Sequence, residues 1–138
     1  MGKTIRDVMT SNPCTIDADK DIVYAAKMLK DEDVGVAPIV EGDQLIGVLT
    51  DRDIAIKVVA EGKDPQTTKA REIASKDIVT IDPQQSLDEA LRLMAQHQVR
   101  RLPVVEEDGK VVGIVAQADI ALESDDAKTG ELVEQISK

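Results

Sequence analysis

The chain repeats itself, and a repeat constrains the fold more than any local motif. Shifted by 65 residues, Thr15-Ile16-Asp17 falls on Thr80-Ile81-Asp82, Ala25 on Ala90, Val34 on Val99, Pro38 on Pro103, and Val40-Glu41 on Val105-Glu106. One extra residue in the second turn moves the shift to 66. Gly47 then falls on Gly113, and Asp53-Ile54-Ala55 on Asp119-Ile120-Ala121. The identities gather at Gly, Pro, Asp and strand-like apolar positions, which chance does not favour. Two units of this size suggest a pair that buries a shared face.

Each unit reads as β-α-β-β-α. A short β-rich stretch opens it (14–16; 78–81). A helical pattern follows, with Ile22, Ala25, Ala26 and Leu29 matched by Leu87, Ala90, Leu91 and Met94. Ser86 with Glu89 predicts a capping box on the second helix. Two strands come next, 35–40 and 45–49 around Glu41-Gly42-Asp43-Gln44, then 101–105 and 111–115 around Glu107-Asp108-Gly109. A last helix starts near Asp51 and near Gln117. The fold class is therefore α+β, two βαββα repeats. Residues 1–62 form repeat one with its N-terminal segment, 63–70 a polar linker, 71–122 repeat two, and 123–138 a connector with a short amphipathic helix on Leu132, Val133 and Ile136.

Composition excludes several functions. Lys plus Arg number 17 against 27 Asp plus Glu, a formal charge of −10, and such a chain repels a phosphate backbone. No run approaches the length of a membrane span and no leader signal is visible, so a cytoplasmic protein is expected. Cys14 is the single cysteine, which excludes an internal disulfide framework. His97 has no second histidine, the acidic runs 31–33 and 125–126 lack calcium-loop spacing, and neither a P-loop nor GxGxxG is present. No metal site and no catalytic nucleophile–base pair are expected. With Tyr24 as the sole aromatic residue, a flat ligand must be gripped by aliphatic groups and backbone.

The sharpest local feature is Gly47-Val48-Leu49-Thr50-Asp51-Arg52-Asp53. Thr50 and Asp53 both face the first turn of the predicted helix, where free N–H groups favour a phosphate. A carboxylate one turn in can accept hydrogen bonds from a ribose diol. Gly47 lets a backbone approach closely, whether a ligand or a neighbouring strand supplies the partner. Thr-x-x-Asp is also an ordinary helix cap, worth about 1 kcal/mol. Repeat two keeps Asp119 but has Ala116 where repeat one has Thr50. A cap gives no evident reason to keep the acid once the hydroxyl is gone, so the pattern points beyond capping.

VGVAPIVEGDQLIGVLTDRDIA and VRRLPVVEEDGKVVGIVAQADIA each resemble the second half of a cystathionine-β-synthase (CBS) domain. The likeness spans about residues 5–122, so the chain resembles a stand-alone tandem CBS pair, a Bateman module. The resemblance implies two repeats packed with approximate twofold symmetry around two clefts for adenosine-containing ligands. AMP, ADP or ATP lead, with Mg²⁺ if ATP, and S-adenosylmethionine ranks behind. It assigns Gly47, Thr50 and Asp53 to the ribose and α-phosphate. It adds the backbone near Ser75 and Val79 for the adenine edge, and Val99, Arg100, Arg101 and Pro103 for base and phosphates, Arg101 being the direct contact. A second, weaker cleft would use Asp119, Thr10, Cys14, Gly35, Val36 and Pro38. There Ala116 lacks the hydroxyl and Gly35-Val36 replace the arginine pair. The expected function is a non-catalytic regulatory sensor that acts through conformational or homodimer change on an effector protein not fused to it. The alternative is a dimerisation or interaction module with vestigial clefts.

Overall fold

The computed structural model describes residues 2–123. The C-terminal helix expected within 123–138 lies outside the described residues. In chain order the elements are α1 (Ile5–Val8), β1 (Thr10–Ser11), β2 (Ile16–Asp17), α2 (Ile22–Asp31), β3 (Val36–Glu41), β4 (Gln44–Thr50), α3 (Asp51–Asp53), α4 (Ala70–Ile73), α5 (Leu87–His97), β5 (Arg101–Val105), β6 (Val111–Ala116) and α6 (Gln117–Ala121). α3 runs on through a wider helical stretch, Ile54–Val59, in which the Ala60 N–H reaches the Ala55 carbonyl at 2.9 Å. The mixed α+β architecture with two three-stranded sheets is the one the repeat predicts.

Among the described residues, contacts divide the chain into two compact units, one of residues 14–78 and one that joins residues 2–13 to residues 79–123. The spatial units are thus cut differently from the sequence repeats. Each hairpin takes its outer neighbour from the segment that precedes the other repeat. In the 14–78 unit the sheet order is β2-β3-β4, with β2 parallel to β3 and β3 antiparallel to β4. The outer side of β4 is met by Ser75: the Val48 N–H donates to the Ser75 carbonyl at 3.0 Å and the Ser75 N–H to the Val48 carbonyl at 2.8 Å. In the other unit the order is β1-β6-β5, with Thr10 opposite Ile114 and Ser11 opposite Gly113.

The two glycines of the repeat are explained here. A Cβ on Gly47 would lie 2.8 Å from the Ser75 carbonyl oxygen and 3.1 Å from the Ala74 Cβ. A Cβ on Gly113 would lie 2.9 Å from the Thr10 carbonyl oxygen and 2.5 Å from the Met9 Sδ. In both cases a neighbouring backbone demands the missing side chain.

The helices follow the apolar periodicity. In α5 all four marked positions, Leu87, Ala90, Leu91 and Met94, are buried. In α2 Ile22, Ala25 and Leu29 are buried, but Ala26 is exposed. Each helix packs on its own sheet. Ile16, Ile39, Leu49, Val58 and Ile73 join α2 in one core, and Ile5, Leu102, Val104, Val115 and Ile120 join α5 in the other. Both helices end on a left-handed residue at equivalent positions, Asp33 and Gln98. The capping box expected at α5 is half formed. Ser86 Oγ accepts the Glu89 N–H at 3.1 Å, while the Glu89 carboxylate turns to Arg92 at 2.6 Å.

The opening strand of repeat two needs a correction. Repeat one has a real β2, continued by the Ala18 N–H to the Val40 carbonyl at 2.8 Å. Across 78–81 there is only an isolated bridge, Ile81 to Val104. The residue equivalent to Ala18 is Pro83, which has no N–H to continue the ladder. The polar 63–70 stretch is built into its unit. The Pro65 and Thr68 carbonyls both accept the Ile22 N–H at 3.0 Å, and Thr68 is buried with its Oγ1 donating to the Asp64 carbonyl at 2.8 Å.

Candidate functional site

β4 ends at Thr50, whose extended backbone aims the next residues into α3. Thr50 Oγ1 accepts the Asp53 N–H at 3.0 Å, and Asp53 Oδ2 accepts the Thr50 N–H at 3.0 Å. This is a reciprocal capping box, which satisfies donors that a helix start leaves open. The second carboxylate oxygen, Oδ1, lies 3.3 Å from Lys57 Nζ, one turn on. Lys57 Nζ also donates to the Ile73 carbonyl at 3.1 Å. The Asp53 side chain is 17% exposed and that of Lys57 44% exposed. The carboxylate is thus fixed at both oxygens yet reachable. A carboxylate has about four acceptor positions, so both oxygens keep capacity for further donors.

The same geometry recurs in the other unit without the hydroxyl. Asp119 Oδ2 accepts the Ala116 N–H at 3.0 Å. This overturns the expectation that capping gives no reason to keep Asp119. The acid caps the backbone N–H of the residue three before it, and that bond needs nothing from the earlier side chain. The pattern extends to two more helix starts. Asp7 Oδ2 accepts the Thr4 N–H at 2.8 Å, and Glu72 Oε2 accepts the Lys69 N–H at 2.7 Å. Thr4 and Lys69, like Asp7 and Glu72, are related by the 65-residue shift.

The remaining expected residues are distributed between the units. Gly47, Thr50, Asp53 and Ser75 share the 14–78 unit, where the backbone N–H and carbonyl of Ser75 are both bonded to Val48. Cys14, Gly35, Val36 and Pro38 are in the same unit. Val36 stands opposite Thr50, and the Gly35 carbonyl accepts the Asp51 N–H at 3.0 Å. Gly35 and Asp51 line one end of a groove of about 480 Å³ walled by Ala26, Leu29, Val34 and Ile54. Pro38 is buried in β3, and burial, with a smaller contribution from Glu32, pushes the half-buried Cys14 thiol up.

Val79, Val99, Arg100, Arg101 and Pro103 lie in the other unit with Thr10 and Asp119. Arg101 stands opposite Ala116, and the Arg100 carbonyl accepts the Gln117 N–H at 2.8 Å. Both arginines are exposed, Val79 and Val99 pack against the core, and Pro103 is half-buried. Arg100 and Arg101 therefore flank the helix start that lacks a threonine, and Gly35 and Val36 the one that has it.

Sequence reasoning missed two residues here. Lys57 is four residues after Asp53, a spacing that brings opposite charges together on a helix face. Gln117, the counterpart of Asp51, has a buried Nε2 without a hydrogen-bond partner among the described residues. Among those residues no three His, Cys, Asp or Glu side chains come together as a metal cluster, and no helix is long and apolar enough to cross a membrane.

Fold and helix starts define a tandem α+β repeat protein in which four helix starts, related in pairs by the repeat, carry a capping carboxylate. The family model for the CBS domain matches residues 5–60 and 70–126, and the chain belongs to that family. It is 44% identical over 119 residues to the CBS domain-containing protein YhcV of Bacillus subtilis, across 86% of this chain and 84% of that one. The crystal structure of Hypoxic Response Protein I with two coordinated zinc ions superposes with a TM-score of 0.81 at 41% identity, covering 89% of this chain and all of the other. The CBS domain pair of protein MJ0100, in complex with 5′-methylthioadenosine and S-adenosylmethionine, superposes with a TM-score of 0.75 at 28% identity, covering 88% and 95%.

Proposed function

We propose that this chain is a regulatory, non-catalytic module that takes up an adenosine-containing ligand, an adenine nucleotide first among them, at the Thr50–Asp53 helix start. Occupancy is passed on by a change of conformation or of homodimer to an effector protein. The observation that carries the reading is Asp53, held at both oxygens and still partly exposed. The related MJ0100 pair, which holds adenosine-containing ligands, supports the ligand class. The Ala116–Asp119 start lacks the hydroxyl, and losing a hydrogen bond to a charged group costs about 1.5–3 kcal/mol, so it binds weakly or not at all.

A second reading, a dimerisation or interaction module with vestigial sites, is favoured by one observation. All four acids at the helix starts have a capping task that needs no ligand.

Differential scanning fluorimetry and calorimetry with AMP, ADP, ATP, S-adenosylmethionine and NADH separate the two. Ligand at 100 times Kd adds about 2.7 kcal/mol of apparent stability. The sensor reading expects one strong site per chain, lost in D53A and kept in D119A. No shift with any of the five, or equal affinity at two sites per chain, contradicts it.

A further inference from the structure

We propose that Lys57 sets the ligand class of the Thr50–Asp53 site by selecting a phosphorylated nucleoside over the bare nucleoside. This rests on the ligand reading above and goes beyond it.

Lys57 Nζ sits between Asp53 Oδ1 at 3.3 Å and the Ile73 carbonyl at 3.1 Å. It lies on the wide-turned stretch that continues α3, whose irregular bonding is of a kind common at functional sites. A ribose diol approaching Asp53 donates to the same carboxylate and competes with the ammonium for Oδ1. The four-carbon stem then lets the ammonium turn to another anion. The 5′-phosphate of a bound nucleotide is that anion. A bare nucleoside offers none, so it weakens the hold of Oδ1 on Lys57 without compensation. The same lysine therefore opposes adenosine and favours AMP.

The repeat supplies an internal contrast. The residue equivalent to Lys57 is Glu123, which pairs with Lys3. The turn that follows α6 thus has an acid where the helix from Asp53 has a base.

Calorimetric titration of the full chain with AMP and with adenosine is the test, on wild type, K57M and K57R. Wild type is expected to bind AMP more tightly. K57M is expected to weaken AMP about tenfold or more while adenosine binds as well or better, because a charge-assisted contact is lost and a competitor removed. K57R keeps the AMP preference. Equal weakening of both ligands in K57M makes Lys57 a structural support only and overturns the inference, as does an unchanged AMP-to-adenosine ratio. If wild type binds neither ligand, the ligand reading itself falls and the inference with it. Should K57M not fold, K57Q gives the same comparison, with far-ultraviolet circular dichroism confirming the native state.

Discussion

Asp119 accepts the Ala116 backbone N–H at 3.0 Å, the same bond that Asp53 makes to Thr50. The two acids therefore carry the same local stability role in different chemical settings. Replacing either by alanine opens one helix-start donor and is expected to cost about 1 kcal/mol. D53A is expected to cost somewhat more than D119A, because it also leaves Lys57 without its partner at 3.3 Å. Urea unfolding of both variants checks this. A neutral D119A contradicts the capping role.

The glycines give a steric prediction. G47A must push the Ser75 carbonyl away, which strains both bonds between Val48 and Ser75. In G113A the Met9 thioether can swing aside, but the Thr10 carbonyl is backbone. Each variant is expected to lose about 1–3 kcal/mol, the usual range for overpacking. A Cβ on Gly2 would meet nothing within 4 Å, so G2A is the control and should leave the melting point unchanged. A stable G47A with Val48 and Ser75 amides still protected from exchange contradicts the close-approach account.

How much of this was legible depends on whether the signal is local. The α5 stripe of Leu87, Ala90, Leu91 and Met94 repeats with helical spacing, and all four positions are buried. The hairpins carry Gly and Asp turns between apolar runs, and both formed. The outer partners of those hairpins were not legible. Thr10, Ser11 and Ser75 are polar, short and far in sequence from the strands they meet, so no periodicity marks them. A trace existed in Gly47 and Gly113, whose retention hinted at close approach without naming the partner. At the site, Thr50 and Asp53 were readable as a helix start. Their two possible roles share one geometry, so spacing could not separate a cap from a ligand anchor. Lys57 was readable by its four-residue offset from Asp53, and Arg101 beside Ala116 only once the register was known.

The 14–78 unit carries an ion-pair cluster that makes a pH prediction. Arg71 Nε donates to Asp19 Oδ1 at 2.9 Å, Lys69 lies 3.7 Å from the same oxygen, and Arg71 also meets Glu41 at 3.6 Å. The hydrogen bond from Arg71, and then its charge with that of Lys69, holds the Asp19 carboxyl below its ordinary value. A carboxyl depressed in the folded state stabilises above its unfolded pKa, and that gain is lost as pH falls through the folded value. Stability should therefore decline on acidification below the ordinary carboxylate range, and R71M should flatten that part of the curve. The groups are exposed, so high salt should shrink the difference. In the other unit Gln84 replaces Asp19, and Arg6 keeps only the counterpart of the second contact, to Glu106 at 3.5 Å. R6M is thus expected to change the acid limb less than R71M. Chemical denaturation at stepped pH measures both, and equal effects contradict the assignment.

Pro83 allows the sharpest test of why the two repeats differ in their first strand. Its counterpart Ala18 donates to the Val40 carbonyl at 2.8 Å, and the residue equivalent to Val40 in repeat two is Val105. P83A restores an N–H where the ladder stops, worth about 1 kcal/mol net if the bond forms. The same change loosens the unfolded chain, at a cost of about 0.4–1 kcal/mol. These terms oppose and nearly cancel, so overall stability should move by less than about 0.5 kcal/mol. Hydrogen exchange separates them where melting cannot. The new amide at position 83 should be protected to the level of Ala18, and the neighbouring Ile81 and Val105 amides should gain protection. A fast-exchanging amide at 83 would show that something other than the missing donor ends the strand after Ile81.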